Sequence, residues 1–199
     1  SIYTKRVRIV GRKRKNSPNV QVYGVPFRVT EMKATTKGQI RWYVSMREPD
    51  GSVLHGENVG KLVTAKSVKA EAVIKAAESI IRENSERVLE WLRAGRLKEA
   101  TPELLLLVLP EESIERVYGK SDEEHRELVR QVVKLLPPIS ELQEKMETVT
   151  LRAVEKVVAV KEKGSVVKRV LNRLYDEAVA QGILQENNVK KLLVTVRSE

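Results

Sequence analysis

The spacing of apolar and polar positions changes once along the chain, near residue 66. Before that point the period is two. In "QIRWYVSMRE", Ile40, Trp42, Val44 and Met46 alternate with Arg41, Tyr43, Ser45 and Arg47, which predicts a strand with one apolar and one polar face. "KRVRIV" alternates in the same way, with Arg6 and Arg8 on one side and Val7 and Ile9 on the other. "NVQVYGVPFRVTEMKA" reads as extended chain interrupted near Gly24 and Pro26, and "SVLHGENVGKLVTA" as a return strand. Between them "PDG" at Pro49–Gly51 predicts a turn, because proline presets one backbone dihedral and glycine accepts a positive one. The expectation is a small antiparallel sheet of about three strands with basic residues on its outer face.

Beyond residue 66 the period becomes helical. Ser67 is the expected N-cap of a helix lined by Ala72, Val73, Ala76, Ala77, Ile80, Ile81, Val88, Leu89 and Leu92, with Gly95 just past its end. Thr101-Pro102 opens a short helix through Leu109, and another turn runs from Glu111 to Tyr118 before Gly119. Capping boxes at Ser121–Glu124 and Ser140–Gln143 start helices that run to Leu136 and toward Gly164. Ser165 caps the last helix, with Val166, Val170, Leu171, Leu174 and Ala178 inward and Gly182 at its end; "KKLLVTV" in the tail is strand-like. The fold class expected is α+β, predominantly α. Residues 1–24 form a basic arm, 25–66 a small antiparallel β segment, and 67–199 a bundle of about four long helices.

Charge adds what periodicity leaves out. The 199 residues are 41% hydrophobic, which suits a folded chain, and carry a net charge of +10. Residues 1–69 hold 15 Lys and Arg against 4 Asp and Glu, whereas residues 70–199 hold 22 against 23. The entire excess therefore lies in the first third, the electrostatic footprint of a polyanion binder. No acid precedes Glu31, while Lys5, Arg6, Arg8, Arg12, Lys13, Arg14 and Lys15 crowd the start. The longest apolar run, Leu104–Leu109, is far short of a bilayer span, and the N-terminus lacks an apolar signal-peptide core. A transmembrane segment and secretion by that route are not expected.

Catalytic patterns are missing. The absence of cysteine removes disulfides, thiolate nucleophiles and zinc–thiolate sites. There is no P-loop, dinucleotide-binding glycine motif or nucleophile elbow, and "GENVG" at Gly56–Gly60 lacks the Lys-Ser/Thr that engages a nucleotide. His55 and His125 fall on different elements without a second ligand at helical spacing. Glu111–Glu112 and Asp122–Glu124 sit in first turns of helices, where the dipole accounts for them. The basic third offers only Glu31, Glu48, Asp50 and Glu57, too few for a two-metal nuclease. The chain reads as non-enzymatic, with no metal, cofactor or small-molecule substrate.

The candidate nucleic-acid contacts are the seven N-terminal cations, then Arg28, Lys33, Lys37, Arg41 and Arg47, with Tyr43 as the aromatic contact. Thr35, Thr36 and Ser45 supply hydroxyls for phosphate. Tyr3, Tyr23, Phe27, Trp42 and Tyr43 all fall in the basic third; Phe27 and Trp42 are expected in the core.

Three resemblances follow from these residues. "GQIRWYVSMREPDGSVLHGENVGKL" followed by "SVKAEAVIKAAESIIREN" resembles the strand–turn–strand–helix order of small DNA- or RNA-binding modules, including integrase arm-binding and double-stranded-RNA-binding domains. "GSVVKRVLNRLYDEAVAQGIL" is similar to the recognition helix of a winged helix-turn-helix, which implies that Lys168, Arg169 and Arg173 face a groove; it also reads as an ordinary bundle helix. The whole layout, a basic arm before a neutral helical body with 32% charged residues and no cysteine, resembles the major coat proteins of filamentous viruses of hyperthermophilic archaea. That resemblance implies a virion subunit whose arm wraps linear duplex DNA through Lys5, Arg6, Arg8, Arg12, Lys13, Arg14 and Lys15, with Arg28 and Arg41 next. It also implies self-assembly, or assembly with a related coat subunit, through the helices. The expected function is thus sequence-tolerant packaging of double-stranded DNA. The alternatives are a sequence-specific DNA-binding regulator or recombination accessory factor with a winged-helix-like C-terminal part, and an RNA- or ribosome-associated basic protein.

Overall fold

A computed structural model describes residues 7–9, 18–33, 35, 37–65, 70–119, 122–134, 138–139 and 164–187. The chain divides into two compact units, residues 1–91 and 92–199.

The first unit is built on five strands: β1 (Val7–Ile9), β2 (Asn19–Val22), β3 (Val25–Met32), β4 (Ile40–Met46) and β5 (Gly60–Ala65). Each pairs antiparallel with its neighbour in sequence, so the sheet is a meander in the order β1-β2-β3-β4-β5. The β2–β3 connection is a two-residue turn at Tyr23 and Gly24, both at positive φ (56° and 84°), between the paired Val22 and Val25. That geometry matches the right-handed twist of the flanking strands. Tyrosine is a poor intrinsic choice for such a dihedral. It is held there because its side chain is buried and its hydroxyl donates to Glu78.

The strand alternation sorts each side chain to one face. Val20, Val22, Val25, Phe27, Val29, Val44 and Met46 are buried on the same side, and the register places Phe27 opposite Met46 and Val29 opposite Val44. Helix α1 (Ala70–Glu83) packs against β4 and β5 and contributes Val73, Ala77, Ile80 and Ile81 to this core. Burying each such side chain contributes about 1.5–3 kcal/mol, so this layer is what makes the sheet stable. Lys61 of β5, on the α1 side by its parity with Val44, reaches Glu83 at 2.8 Å. The expected long return strand is shorter than its apolar pattern suggests. Val53 makes an isolated bridge with Arg47, and Gly56 (φ 145°) and Asn58 (φ 59°) then turn the chain away until Gly60.

The long helix expected over residues 67–92 is two helices, α1 and α2 (Ser85–Arg93), separated at Asn84. The Asn84 carboxamide donates to the Ile80 carbonyl (2.8 Å) and to the Asn58 carbonyl (3.1 Å) of the loop before β5. A side chain competing for backbone partners in this way favours a helix end.

In the second unit the chain forms α3 (Glu103–Val108), α4 (Glu111–Tyr118), α5 (Glu123–Val133) and α6 (Gly164–Ala180). Pro102 and Pro110 precede α3 and α4, and Gly119 (φ 58°) ends α4. These residues divide the chain between Glu103 and Val133 into helices of 6, 8 and 11 residues. Helix α6 packs on α4 and α5, burying Leu174, Tyr175 and Ala178. Arg93 donates from Nε to the Gln181 carbonyl (2.6 Å) and from Nη2 to its side chain (2.7 Å). The expectation of a predominantly helical chain with a bundle of about four long helices is therefore corrected. The chain is a mixed α+β structure with a five-stranded sheet and mostly short helices among the described residues. The helix expected between Ser140 and Gly164 and the strand-like tail lie outside those residues.

Candidate nucleic-acid interface

Because α1 occupies one side of the sheet, the residues of opposite parity form its other face. Three cross-strand rows define it. Asn19, Arg28, Ser45 and Gly60 stand side by side; next come Thr30, Tyr43 and Leu62; then Met32, Arg41 and Thr64. Gln21 and Pro26 pair beyond the first row. None of these strand positions carries a carboxylate. Met32 is 43% exposed, Tyr43 39% and Leu62 46%, so the face is open to solvent along β3, β4 and β5.

The side chains on this face are held in defined places. Arg28 Nε donates to Asn19 Oδ1 at 3.0 Å, which fixes the guanidinium across β2 and β3. Tyr43 leans diagonally from its own row onto Gly60. A Cβ at Gly60 would lie 2.0 Å from the tyrosine hydroxyl oxygen and 2.3 Å from Cζ. Only glycine leaves room for the ring to lie there, the arrangement by which an aromatic covers a strand glycine. Arg41 lies one row away on the other side, between Met32 and Thr64.

The expected contacts fall in five places. Arg28, Arg41, Tyr43 and Ser45 share the open face. Lys33 follows β3 and Lys37 lies in the β3–β4 connection, both exposed, at the Met32–Arg41 end. In that connection the Thr35 hydroxyl accepts from the Gln39 backbone N–H at 3.1 Å. Arg47 continues β4 past its end, where its backbone N–H donates to the Pro26 carbonyl at 2.9 Å. Arg8 lies in β1, paired by backbone register with Gln21. Lys5, Arg6, Arg12, Lys13, Arg14, Lys15 and Thr36 lie outside the described residues. Phe27 is fully buried as expected; Trp42 is half-buried, with its indole N–H enclosed and lacking an acceptor among the described residues.

Met32, Leu62 and Gly60 were not among the expected site residues. Met32 is readable in hindsight, as the fourth outward position of β3 after Pro26, Arg28 and Thr30. Leu62 and Gly60 depend on the register of β5, which has no strict alternation to fix it.

The recognition-helix resemblance finds less support. Arg169 is exposed, but Arg173 lies over the end of α4, with Nη1 2.9 Å from the position of a Cβ on Gly119. Helix α6 is thus packed into the second unit as an ordinary helix of that unit. Among the described residues no group of three His, Asp or Glu could hold a metal ion, and no helix is long and apolar enough to cross a membrane. Comparison with protein-family models, curated proteins and solved structures finds no match for this chain.

Proposed function

We propose that the protein is a non-enzymatic duplex-DNA-binding protein whose contacts come from the basic N-terminal third and the open face of the five-stranded sheet. One observation carries this reading: an excess of eleven positive charges in residues 1–69 coincides with a carboxylate-free sheet face that presents Arg28 and Arg41. Lys and Arg on phosphate supply affinity without sequence information. The coat role implied by the archaeal-virus resemblance rests on the layout of a basic arm before a helical body; among the described residues that body is mostly short helices rather than a bundle of about four long ones. The strand–turn–strand–helix order of β4, β5 and α1, shared with small DNA- or RNA-binding modules, supports nucleic-acid binding by this unit.

Fluorescence anisotropy on a random-sequence duplex tests the binding. Arg28→Gln with Arg41→Gln should lower the slope of log affinity against log salt by about 1.8, or about 0.9 per contact. Salt-insensitive binding, or an unchanged slope in the double variant, overturns the reading. Structured RNA that outcompetes the duplex would point to the RNA-associated alternative.

A further inference from the structure

We infer that Tyr43 is a stacking platform for an unpaired base, so the open sheet face also takes single-stranded nucleic acid. This rests on the nucleic-acid reading above and extends it from phosphate to base. The first observation is the pose of the ring. With its hydroxyl end lying directly over the Gly60 backbone, the ring presses one face onto the sheet and leaves the other toward solvent, at 39% exposure. A ring laid flat is unable to act as a wedge between stacked base pairs, because a wedge must project edge-first. What it offers is a π-face, and only a base already out of a duplex stack presents the matching surface.

The second observation is what surrounds the ring. Rows of side chains on one sheet face are two residues apart along each strand, about 7 Å. Arg28 lies in the row on one side of Tyr43 and Arg41 in the row on the other. A strand whose base rests on Tyr43 therefore has a cation available on either side for its backbone. That combination, an aromatic face within a positive track, is how single strands are held without base-specific hydrogen bonds. Leu62 and Thr30, beside Tyr43 in its own row, extend the platform with apolar and methyl surface. Met32, Tyr43 and Leu62, the part-exposed large apolar side chains of this face, suit the faces and edges of unstacked bases.

The experiment compares the full chain with Tyr43→Phe and Tyr43→Leu by anisotropy, on labelled oligothymidylate and on a duplex of the same length. Leucine keeps an apolar cover over Gly60 but has no π-face; phenylalanine keeps both. The expected result is that Tyr43→Leu weakens oligothymidylate binding by about 5- to 150-fold, the range for one stacked base. Tyr43→Phe should stay within about threefold of the parent, and duplex binding should change less than about threefold in both. Equal losses on duplex and single strand, or no loss with leucine, overturn the platform. A parent that binds the duplex but not oligothymidylate overturns the platform and leaves the duplex reading standing. A parent that binds neither overturns both.

Discussion

The contact between Tyr43 and Gly60 makes a sharp prediction about stability. Gly60→Ala is ordinarily a mild change in a strand: the backbone there is not left-handed, and alanine gains about 0.5–1 kcal/mol over glycine by restricting the unfolded chain. Here the added methyl would lie 2.0 Å from the tyrosine hydroxyl oxygen, whereas ordinary contact begins at 3.4 Å, so the ring must retreat by 1.4 Å or more. Lifting one ring face re-exposes on the order of 50 Å² of apolar surface, about 1.3 kcal/mol at 25 cal/mol per Å². Residual crowding brings the expected cost to about 1–3 kcal/mol. In a Tyr43→Ala background the obstacle is gone and Gly60→Ala should become stabilising by about 0.5 kcal/mol. The two sites should therefore couple by about 1.5–3.5 kcal/mol in a double-mutant cycle. Urea unfolding followed by tryptophan fluorescence reports this directly, because both tryptophans, Trp42 and Trp91, lie in the first unit. If Gly60→Ala costs the same in both backgrounds, Tyr43 does not lie on the glycine and the platform has no foundation.

Two further predictions concern the second unit. The Tyr175 hydroxyl is buried without a hydrogen-bond partner among the described residues, and burial pushes its pKa far above the usual phenol value. Tyr175→Phe should therefore raise the thermal midpoint, by an amount equivalent to about 1–3 kcal/mol; a lower midpoint in helical circular dichroism would refute the orphaned hydroxyl. The Arg116 guanidinium donates from Nε to Glu177 Oε1 at 2.7 Å and from Nη2 to Oε2 at 3.2 Å, and these hydrogen bonds hold the Glu177 carboxyl below its ordinary value of 4.5. A carboxyl lowered in the folded state contributes stability present above its unfolded pKa and lost as pH falls through the folded one. Glu177→Gln should consequently flatten the acid limb of the unit's stability profile below about pH 4.5; an unchanged limb would show that the pair contributes nothing there.

How much of this was legible in the sequence depends on whether the cause was local. Strand β4 was readable because the eight positions from Ile40 to Arg47 alternate without exception, and that alone placed Arg41, Tyr43 and Ser45 on one face. The Tyr23–Gly24 turn was not, because tyrosine is an unlikely occupant of a left-handed position and the bond that holds it comes from Glu78, 55 residues away. The break at Asn84 likewise needs the Asn58 carbonyl, so an unbroken apolar stripe predicted one helix where there are two. The proline and glycine that shorten α3 and α4 were visible, yet the apolar pattern on either side made the whole read as a bundle. For the candidate site the charges were legible and the platform was not. Gly60 acquires its meaning only when β5 pairs with β4 and brings it beneath a ring seventeen positions earlier.

The meander order of the first unit also sets the sequence in which it is able to form. Every strand pairs only with its neighbour along the chain, so each hairpin becomes available as soon as its second strand leaves the ribosome, with little loop entropy to overcome. The apolar side of this sheet, however, is covered along β4 and β5 by α1, residues 70–83. At about 5–20 residues per second, synthesis leaves Val44 without that cover for seconds before α1 emerges to close over it. The N-terminal cations precede it in synthesis. Like charges near the start of neighbouring nascent chains repel one another, which opposes association through the interval in which the core is still open.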